Sequence, residues 1–194
     1  MNNKPTILDK KIVARSRLFA VEELKLRFSN GVERVYERLR TPPTPAVMIV
    51  PVLDDQILFI REYAAGFHEY QLTLPKGAVD PGETILEAAD RELMEEAGYG
   101  AGRLTPLKEL TLAPGHMGHR IEAVLAQDLY PKSLPGDEPE PLEVVPWPIA
   151  RLEELMLSEE LKEARVIAAL YLAQKQLTTS NPSPSKTNTF SSLG

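Results

Sequence analysis

The chain has 194 residues, enough for one compact domain with a buried core and a small appendage. A net charge of −6 excludes unaided attraction to nucleic acid or an anionic membrane, and the lack of cysteine excludes disulfide bonds and thiolate chemistry. No basic stretch followed by an apolar one opens the chain, and no apolar run approaches the length of a membrane span. The sequence therefore predicts a cytoplasmic protein without a signal peptide or membrane segment.

The first part of the chain is predicted to be a small antiparallel β subdomain. Residues 1–10 show no periodic pattern and are expected to be loose. From Ile12 to Leu39, apolar residues recur at every second position on both sides of a turn signal, Ser29 to Gly31, which predicts a β hairpin. The proline-rich stretch from Thr41 to Pro45 cannot be regular structure and marks a boundary. A unit of residues 1–45 is too small to be stable alone and must pack on something else.

Residues 46–177 are predicted to form one α/β domain. Segments rich in β-branched and apolar residues predict strands at 46–53, 57–63, 70–77, 103–114 and 119–129. Amphipathic periodicity predicts helices at 84–98 and 160–177. Residues 133–143 contain proline and acidic residues without periodicity and are expected to be a loop. The tail, 178–194, is rich in Ser, Thr, Asn and Pro and is predicted to be disordered.

The first predicted helix has defined ends and an acidic face. Thr84 with Glu87 three residues later is a capping-box pattern, and Gly98 suits the position just after the helix. Three further glutamates at i, i+3 and i+4 share one face and repel one another. They are Glu92, Glu95 and Glu96. A hard divalent cation, Mg²⁺ or Mn²⁺, would relieve this repulsion, whereas the alternative reading is an ordinary solvated acidic surface.

The residues around this helix resemble the Nudix box, a pattern of spaced glycines, glutamates and one arginine. Its fixed positions are Gly77, Glu83, Arg91, Glu92, Leu93, Glu95, Glu96, Gly98 and Tyr99. Only Tyr99 departs from the family, because an aromatic stands where an aliphatic residue is more usual. The match is specific among short motifs.

The resemblance to Nudix hydrolases implies an α/β/α sandwich with a mixed sheet that hydrolyses a nucleoside diphosphate linked to another group. It implies that Glu92, Glu95 and Glu96 are catalytic and bind Mg²⁺ or Mn²⁺, with a main-chain carbonyl of Lys76 or Gly77 as a further ligand. It also implies that Glu83 and Arg91 support these ligands from behind. The alternative for that pair is an ordinary salt bridge of little energetic worth.

Flanking segments resemble the branch of the family that acts on ADP-sugars. The strand ending "LFIREY" and the following "YQLTLPKGAVDPGE" are similar to the region that precedes the box in these relatives. The position of the "APGHMG" loop matches a substrate-facing proline loop, which implies roles for Pro114 and Gly115. Arg61, and with weaker support Arg38 and Arg40, are candidate phosphate or ribose contacts.

Two positions depart from the pattern specific for ADP-ribose. Ala64 stands where relatives often have a second arginine, and His119 stands where they have a glutamate. Both departures favour a broader enzyme for ADP-linked compounds. His116 and His119 are candidate substrate contacts, but two histidines alone do not make a structural zinc site.

Segments from Lys4 to Leu177 resemble a bacterial Nudix group that cleaves ADP-ribose, NADH and adenosine dinucleotides to AMP and a second phosphorylated product. In ADP-ribose relatives an acidic residue in the loop after the last long strand acts as general base or metal ligand. Here Asp137, Glu138 and Glu140 occupy that loop, and alignment favours Glu140. The alternative is a solvated acidic loop.

The resemblance also implies a homodimer in which N-terminal strands complete the partner's site. Such packing would cover the apolar residues of the hairpin, which are Leu24, Leu26, Phe28 and Val35. Other readings remain: a non-catalytic Nudix nucleotide sensor, or an enzyme for another nucleoside diphosphate or for NAD-capped RNA. Long nucleic acid is not an expected partner of so acidic a chain.

Overall fold

The computed structural model describes residues 3–40 and 44–180. Its first part is a separate three-stranded antiparallel sheet in the order β1-β2-β3. The strands are β1 (Thr6–Arg15), β2 (Ala20–Arg27) and β3 (Glu33–Leu39). This sheet is called the N-terminal sheet below, and it confirms the predicted small antiparallel unit.

The expectation of a loose segment at residues 1–10 is wrong from Thr6 onward, whereas residues 3–5 form no regular structure. Residues from Thr6 onward form β1, which pairs along β2 from Thr6 opposite Arg27 to Arg15 opposite Ala20. The pairing has register shifts between Ile7 and Asp9 and between Ile12 and Ala14. Each shift changes which residues face the same side of the sheet, so the sequence shows no regular alternation of apolar and polar residues. The predicted hairpin is therefore two strands of a three-stranded sheet.

The rest of the chain is built on one seven-stranded sheet. Its strands are β4 (Ala46–Leu53), β5 (Gln56–Ala64), β6 (Glu69–Thr73), β7 (Lys76–Ala78), β8 (Tyr99–Thr111), β9 (Arg120–Pro131) and β10 (Glu143–Pro148). The main order is β10-β5-β4-β9-β8, with β6 on β5 and β7 on β4. The pair β4–β9 is parallel and the other pairs are antiparallel, which confirms the mixed sheet.

Helices cover both faces of this sheet, which confirms the predicted sandwich. They are α1 (Ile85–Glu96), a 3₁₀ turn (Ile149–Arg151), α2 (Leu152–Met156) and α3 (Ala164–Ser180). Alternate residues of β4 pack against the helices on opposite faces of the sheet, as expected for a strand buried on both sides. Val47 and Ile49 pack with the α1 side, whereas Met48 and Val50 pack with α2 and α3.

The predicted ends of α1 are confirmed. Thr84 Oγ1 accepts from the backbone N–H of Glu87, and the Glu87 carboxylate accepts from the Thr84 N–H, so the capping box is complete. Gly98 has φ of 76°, a left-handed conformation that suits glycine after a helix.

Other boundaries differ from the sequence-based expectation. Strand β10 and helix α2 were not predicted, and α3 continues through Ser180, so three residues of the predicted loose tail are helical. Residues 181–194 of that tail, and residues 41–43 of the predicted proline-rich boundary, lie outside the described residues. None of the described helices is long and apolar enough to cross a membrane.

Candidate active site

The glycine that opens the box lies directly against the box helix. A Cβ atom on Gly77 would stand 2.1 Å from Glu92 Oε1, well inside van der Waals contact. Any larger residue would therefore displace the Glu92 carboxylate, whose residue is only 9% exposed. Glycine at this position therefore leaves the Glu92 carboxylate where it is held between β7 and Arg91.

Arg91 joins the other box carboxylates. Its guanidinium donates two hydrogen bonds to Glu83, at 2.8 and 3.0 Å, in a forked arrangement. It also donates to Glu92 Oε1 at 2.8 Å, to Glu95 Oε2 at 2.9 Å and to the carbonyl of Ala78 at 2.9 Å. Hydrogen bonds from Arg91 hold the pKa of Glu83 below its usual range. The pair is therefore part of a network that fixes the box loop to α1, which is more than an isolated surface salt bridge.

Glu92 and Glu96 are carboxylates held in buried positions. Glu96 is 8% exposed and accepts a hydrogen bond of 2.9 Å from the backbone N–H of Lys76. Burial raises the pKa of Glu96 to about 8, and burial also raises the pKa of Glu92. One arginine cannot neutralise all four box glutamates, so this site retains excess negative charge whenever they are ionised.

These residues fit a divalent cation chemically. Buried carboxylates with raised pKa values gain from a bound cation, and their oxygens are the ligands that Mg²⁺ and Mn²⁺ prefer. Among the described residues, however, no three His, Asp, Glu or Cys side chains are already arranged as a ligand set. Glu92 and Glu95 turn toward Arg91 and Glu96 toward the Lys76 N–H, so each carboxylate is satisfied by a donor of the protein itself.

The acidic loop after β9 lies along the end of the box helix. The backbone N–H of Leu134 donates to the Met94 carbonyl at 3.1 Å. Glu138 is near enough to Glu92 to contribute to its raised pKa, after the larger effects of burial and of Arg91. Glu140, the residue favoured by alignment, instead accepts a hydrogen bond from the Tyr70 hydroxyl. It lies with Arg61 around a separate cavity of about 360 Å³.

The predicted substrate contacts lie in three different places. Arg61 forms ion pairs with Glu160 at 2.7 Å and Glu143 at 3.3 Å. Arg38 donates to Glu22 within the N-terminal sheet at 2.8 and 2.6 Å. Arg40 is exposed beyond β3, where its backbone N–H donates to the Ala20 carbonyl.

Pro114 and Gly115 are exposed in the loop between β8 and β9. This loop touches the end of the N-terminal sheet, because the Leu39 N–H donates to the His116 carbonyl at 2.7 Å. Leu39 also forms an isolated parallel bridge with Met117. The structure therefore brings the proline loop and the strand that carries Arg38 together.

Sequence reasoning missed a large cavity beside the box. A cavity of about 790 Å³ adjoins Lys76 and Gly77 and is lined further by His119, Arg120 and Arg165. His119 was a candidate from sequence, but Arg165 was read only as part of an amphipathic helix. The available signal was the charged pair Glu163 and Arg165 where α3 begins, directly before its most apolar turns.

A mixed-sheet sandwich with a glycine loop, an arginine clamp and buried glutamates defines a Nudix domain. The sequence profile of the NUDIX domain matches residues 42–171, and that of the NudE-type Nudix hydrolase N-terminal domain matches residues 5–38. The chain belongs to the Nudix hydrolase family, whose members generally need a divalent metal ion.

Individual relatives are similar over nearly the whole chain. The ADP compounds hydrolase NudE of Escherichia coli (strain K12) is 54% identical over 174 residues, which is 90% of this chain and 94% of that protein. The ADP-ribose pyrophosphatase of Bacillus subtilis (strain 168) is 27% identical over 87% of this chain and 95% of its own. A crystal structure of an ADP compounds hydrolase superposes with a TM-score of 0.88 at 52% identity, covering 92% of this chain and 97% of that one.

Proposed function

We propose that this protein hydrolyses the pyrophosphate bond of ADP-containing compounds, such as ADP-ribose, NADH and adenosine dinucleotides, and releases AMP. The observation that carries the proposal is the intact box, in which Gly77, Arg91 and the four glutamates form one connected, partly buried site. The 54% identity to a protein named ADP compounds hydrolase supports the same substrate class.

The metal ligands in this proposal are Glu92, Glu95 and Glu96, with a carbonyl of Lys76 or Gly77. Bound Mg²⁺ or Mn²⁺ would neutralise phosphoryl oxygens and lower the pKa of a water molecule. Arg91 orients Glu92 and Glu95 through hydrogen bonds, and Glu83 holds Arg91 in place by its forked contact. The protein's own contribution is therefore to keep negatively charged ligands together at a site that excludes most water.

The acidic loop would supply a group that accepts a proton from the attacking water. Glu140 remains the residue favoured by alignment, and its contact with the Tyr70 hydroxyl fixes it beside Arg61. Glu138 lies nearer to Glu92, as its effect on the Glu92 pKa indicates. Comparing Glu138→Gln with Glu140→Gln would decide between them, because loss of the general base lowers kcat about 10²- to 10⁴-fold.

Substrate binding would use Arg61, Arg38 and Arg40, together with Pro114 and Gly115. Arg61 and Glu140 line the same cavity. Leu39, which lies between Arg38 and Arg40, contacts the proline loop through the His116 carbonyl. A guanidinium group is a forked donor that matches a phosphate, and Arg61 and Arg38 would first have to leave the carboxylates that they now contact.

We further propose that two copies form a homodimer through the N-terminal sheet. All ten residues of β1 are exposed. Apolar side chains are exposed across this unit, at Ile7, Leu8, Ile12, Val13, Leu18, Phe19, Val32, Val35 and Tyr36. Leu24 is buried within the sheet, and Leu26 and Phe28 are partly covered, so the apolar residues left for a partner differ from the predicted set except for Val35. A second copy would cover this surface with C₂ symmetry.

The direct test is a panel of ADP-ribose, NADH, diadenosine polyphosphates and a nucleoside triphosphate, each with Mg²⁺ or Mn²⁺. AMP release from the ADP-linked compounds, identified by chromatography, is the expected result. Absence of AMP from every compound at micromolar enzyme would overturn the proposal and favour a nucleotide sensor. Action in the cytoplasm stays a prediction, which rests on the absence of cysteine.

A further inference from the structure

Three unsatisfied polar atoms lie together at one place in the described part of the chain. They are His119 Nδ1, Glu163 Oε1 and Arg165 Nε, and they are the buried side-chain nitrogen and oxygen atoms there that lack a hydrogen-bond partner. Glu163 Oε1 lies 2.5 Å from an Arg165 nitrogen, an ion-pair distance, but receives no hydrogen bond of good geometry. Glu163 Oε1 is therefore paired electrostatically, and the two nitrogens are the atoms of this cluster without a partner. Buried polar atoms are nearly always satisfied, so two such nitrogens together indicate a place where a further polar group can bind.

Three separate segments assemble this cluster. His119 precedes β9, whereas Glu163 directly precedes α3 and Arg165 is the second residue of that helix. Thr73 at the end of β6 donates to the other Glu163 oxygen at 3.1 Å, which fixes the carboxylate. Arg165 is held by Glu163 on one side and is left with its Nε–H free on the other.

His119 and Arg165 both line the cavity of about 790 Å³. Its volume lies in the range of small-molecule sites, roughly 300–1,000 Å³. Lys76, Arg120 and Arg165 line the cavity, and each already pairs with a carboxylate, of Glu62, Glu109 and Glu163 respectively. An anionic ligand would therefore act as a further or competing acceptor for these side chains, and the free Nε–H of Arg165 is the donor that needs no displacement.

The two nitrogens without a partner, His119 Nδ1 and Arg165 Nε, would bind different ligand groups. Burial, and then the neighbouring Arg165, lower the pKa of His119, so its ring is neutral near pH 7 and can exchange a hydrogen bond with a hydroxyl group. The guanidinium of Arg165 donates best to a phosphate or carboxylate. A ligand that carries both a phosphate and sugar hydroxyls would satisfy both.

We propose that this cavity binds a phosphorylated ribose through Arg165 and Arg120 at the phosphate and His119 at a ribose hydroxyl. The proposal rests on the proposed function, since Lys76 and Gly77 are shared between the cavity and the box loop. A ribose 5-phosphate unit occurs in both halves of ADP-ribose, in AMP and in the second product. His119 and Arg165 are thus specificity residues that lie outside the Nudix box.

Binding without turnover tests this assignment. Full-length protein in EDTA is titrated by calorimetry with AMP, ribose 5-phosphate and inorganic phosphate. We expect His119→Ala to weaken binding of AMP or ribose 5-phosphate about ten- to a hundredfold and to leave phosphate binding unchanged. Arg165→Lys keeps the charge but removes the forked donor, so it should weaken all ligands that bind. The ligand whose affinity falls more in His119→Ala identifies which half of the substrate occupies the cavity.

Arg103→Gln is the matched control, because Arg103 is exposed and forms an ion pair with Asp128 at 3.3 Å, away from the cavity lining. Thermal melting should show that all three variants fold. Wild-type affinities in both His119→Ala and Arg165→Lys, or no binding of either ribose phosphate at millimolar concentration, would overturn the inference.

Hydrolysis of ADP-ribose is measured separately on the same proteins. Turnover by the wild type together with unchanged binding in the variants would contradict the cavity assignment and leave the proposed function standing. Binding that depends on His119 and Arg165, in a protein that cleaves no ADP compound, would support the cavity and reject the proposed function.

Discussion

The Nudix box and the N-terminal sheet both carry many charged side chains, but they differ in how much of their surface is already in contact within one chain. In the box, Arg91 contacts three glutamates and Glu96 is capped by a backbone N–H of the same chain. In the N-terminal sheet, polar pairs such as Arg38 with Glu22 are formed, whereas Val35 remains 58% exposed. The box is complete within one chain, and the sheet leaves apolar surface that only another surface can cover.

This difference separates chemistry from assembly. Changes in the box should abolish hydrolysis and leave the oligomeric state unchanged, because the box glutamates bond to Arg91 and to the Lys76 N–H and not to the N-terminal sheet. Changes in the N-terminal sheet should break the dimer and weaken substrate binding at the proposed shared site, while the box itself stays intact. A box variant that dissociated the dimer would break the comparison.

Glu96→Gln is expected to give the largest effect. Removing one carboxylate from the box removes a proposed metal ligand, so kcat should fall about 10²- to 10⁴-fold while the dimer and the melting temperature are retained or slightly improved. Steady-state kinetics and light scattering measure the two properties. Glu153→Gln, an exposed change on α2, is the control and should retain full activity. A loss of less than about fivefold in Glu96→Gln would remove Glu96 from the set of metal ligands.

Deleting residues 1–44 should have the next largest effect and should act on assembly. The truncated protein is expected to be a poorly soluble monomer whose KM rises about ten- to a hundredfold, although every box glutamate remains. Val35→Lys in the full chain is a milder version that keeps the sheet. If the full-length protein has a mass near 21.6 kDa in solution and full activity, the proposed shared site is wrong.

Gly77→Ala should damage the box by a purely steric route. The added methyl group would overlap Glu92 Oε1 at 2.1 Å, so we expect a loss of about tenfold to a hundredfold in kcat and about 1–3 kcal/mol in stability. Gly66→Ala is the matched control, because a Cβ there meets no atom within 4 Å. Equal activity of the two variants would mean that the Glu92 carboxylate can shift away from residue 77 without loss of function.

The smallest expected effect is on the pH dependence of the free energy of unfolding, to which the two regions contribute with opposite sign. Burial raises the pKa of Glu96 to about 8 from its ordinary value of 4.5, so its contribution to the stability of metal-free protein is full below pH 4.5 and is lost as the pH rises through 8. The hydrogen bond from Arg38 lowers the pKa of Glu22, so the stability from that pair is present above pH 4.5 and is lost as the pH falls further.

Chemical denaturation in EDTA across this pH range measures both effects. Glu96→Gln should remove the decline toward alkaline pH, and Glu22→Gln should remove the decline toward acid pH. If the stability of Glu96→Gln still falls as the pH rises toward 8, a group other than Glu96 causes the fall. Saturating Mg²⁺ should flatten the alkaline limb in the wild type, since a bound cation favours the ionised carboxylate.

Local patterns in the sequence were sufficient to predict the secondary structure around the box. The helical period, the Thr84 cap and Gly98 predicted α1 to within two residues at each end, because these signals act over a single turn of backbone. The apolar runs predicted β4 and β5 for the same reason, since a strand buried on both faces needs no partner to be recognised. The box pattern then predicted which carboxylates would meet.

Pairing between distant segments could not be read from local patterns. The first part of strand β1 was missed because it is ordered by pairing with β2, and two register shifts in that pairing hide the alternation of apolar residues. Strand β10 was missed because Pro146 and Pro148 interrupt its alternation. The position of Glu138 near Glu92, with Glu140 turned to Tyr70, depends on how the loop folds back on the end of α1.

The sequence by itself determined the family, the box residues and the helix that presents them, because those features are encoded in consecutive residues with fixed spacing. The contacts of Arg91 with Glu92 and Glu95 are local to α1. Only the tertiary structure decided that Gly77 abuts Glu92 and that His119 meets Arg165 at a cavity. Each of these two contacts joins segments whose separation in space depends on the packing of the whole sheet. The free energy that fixes them comes from the buried core between α1 and α3, and no single segment contains that core.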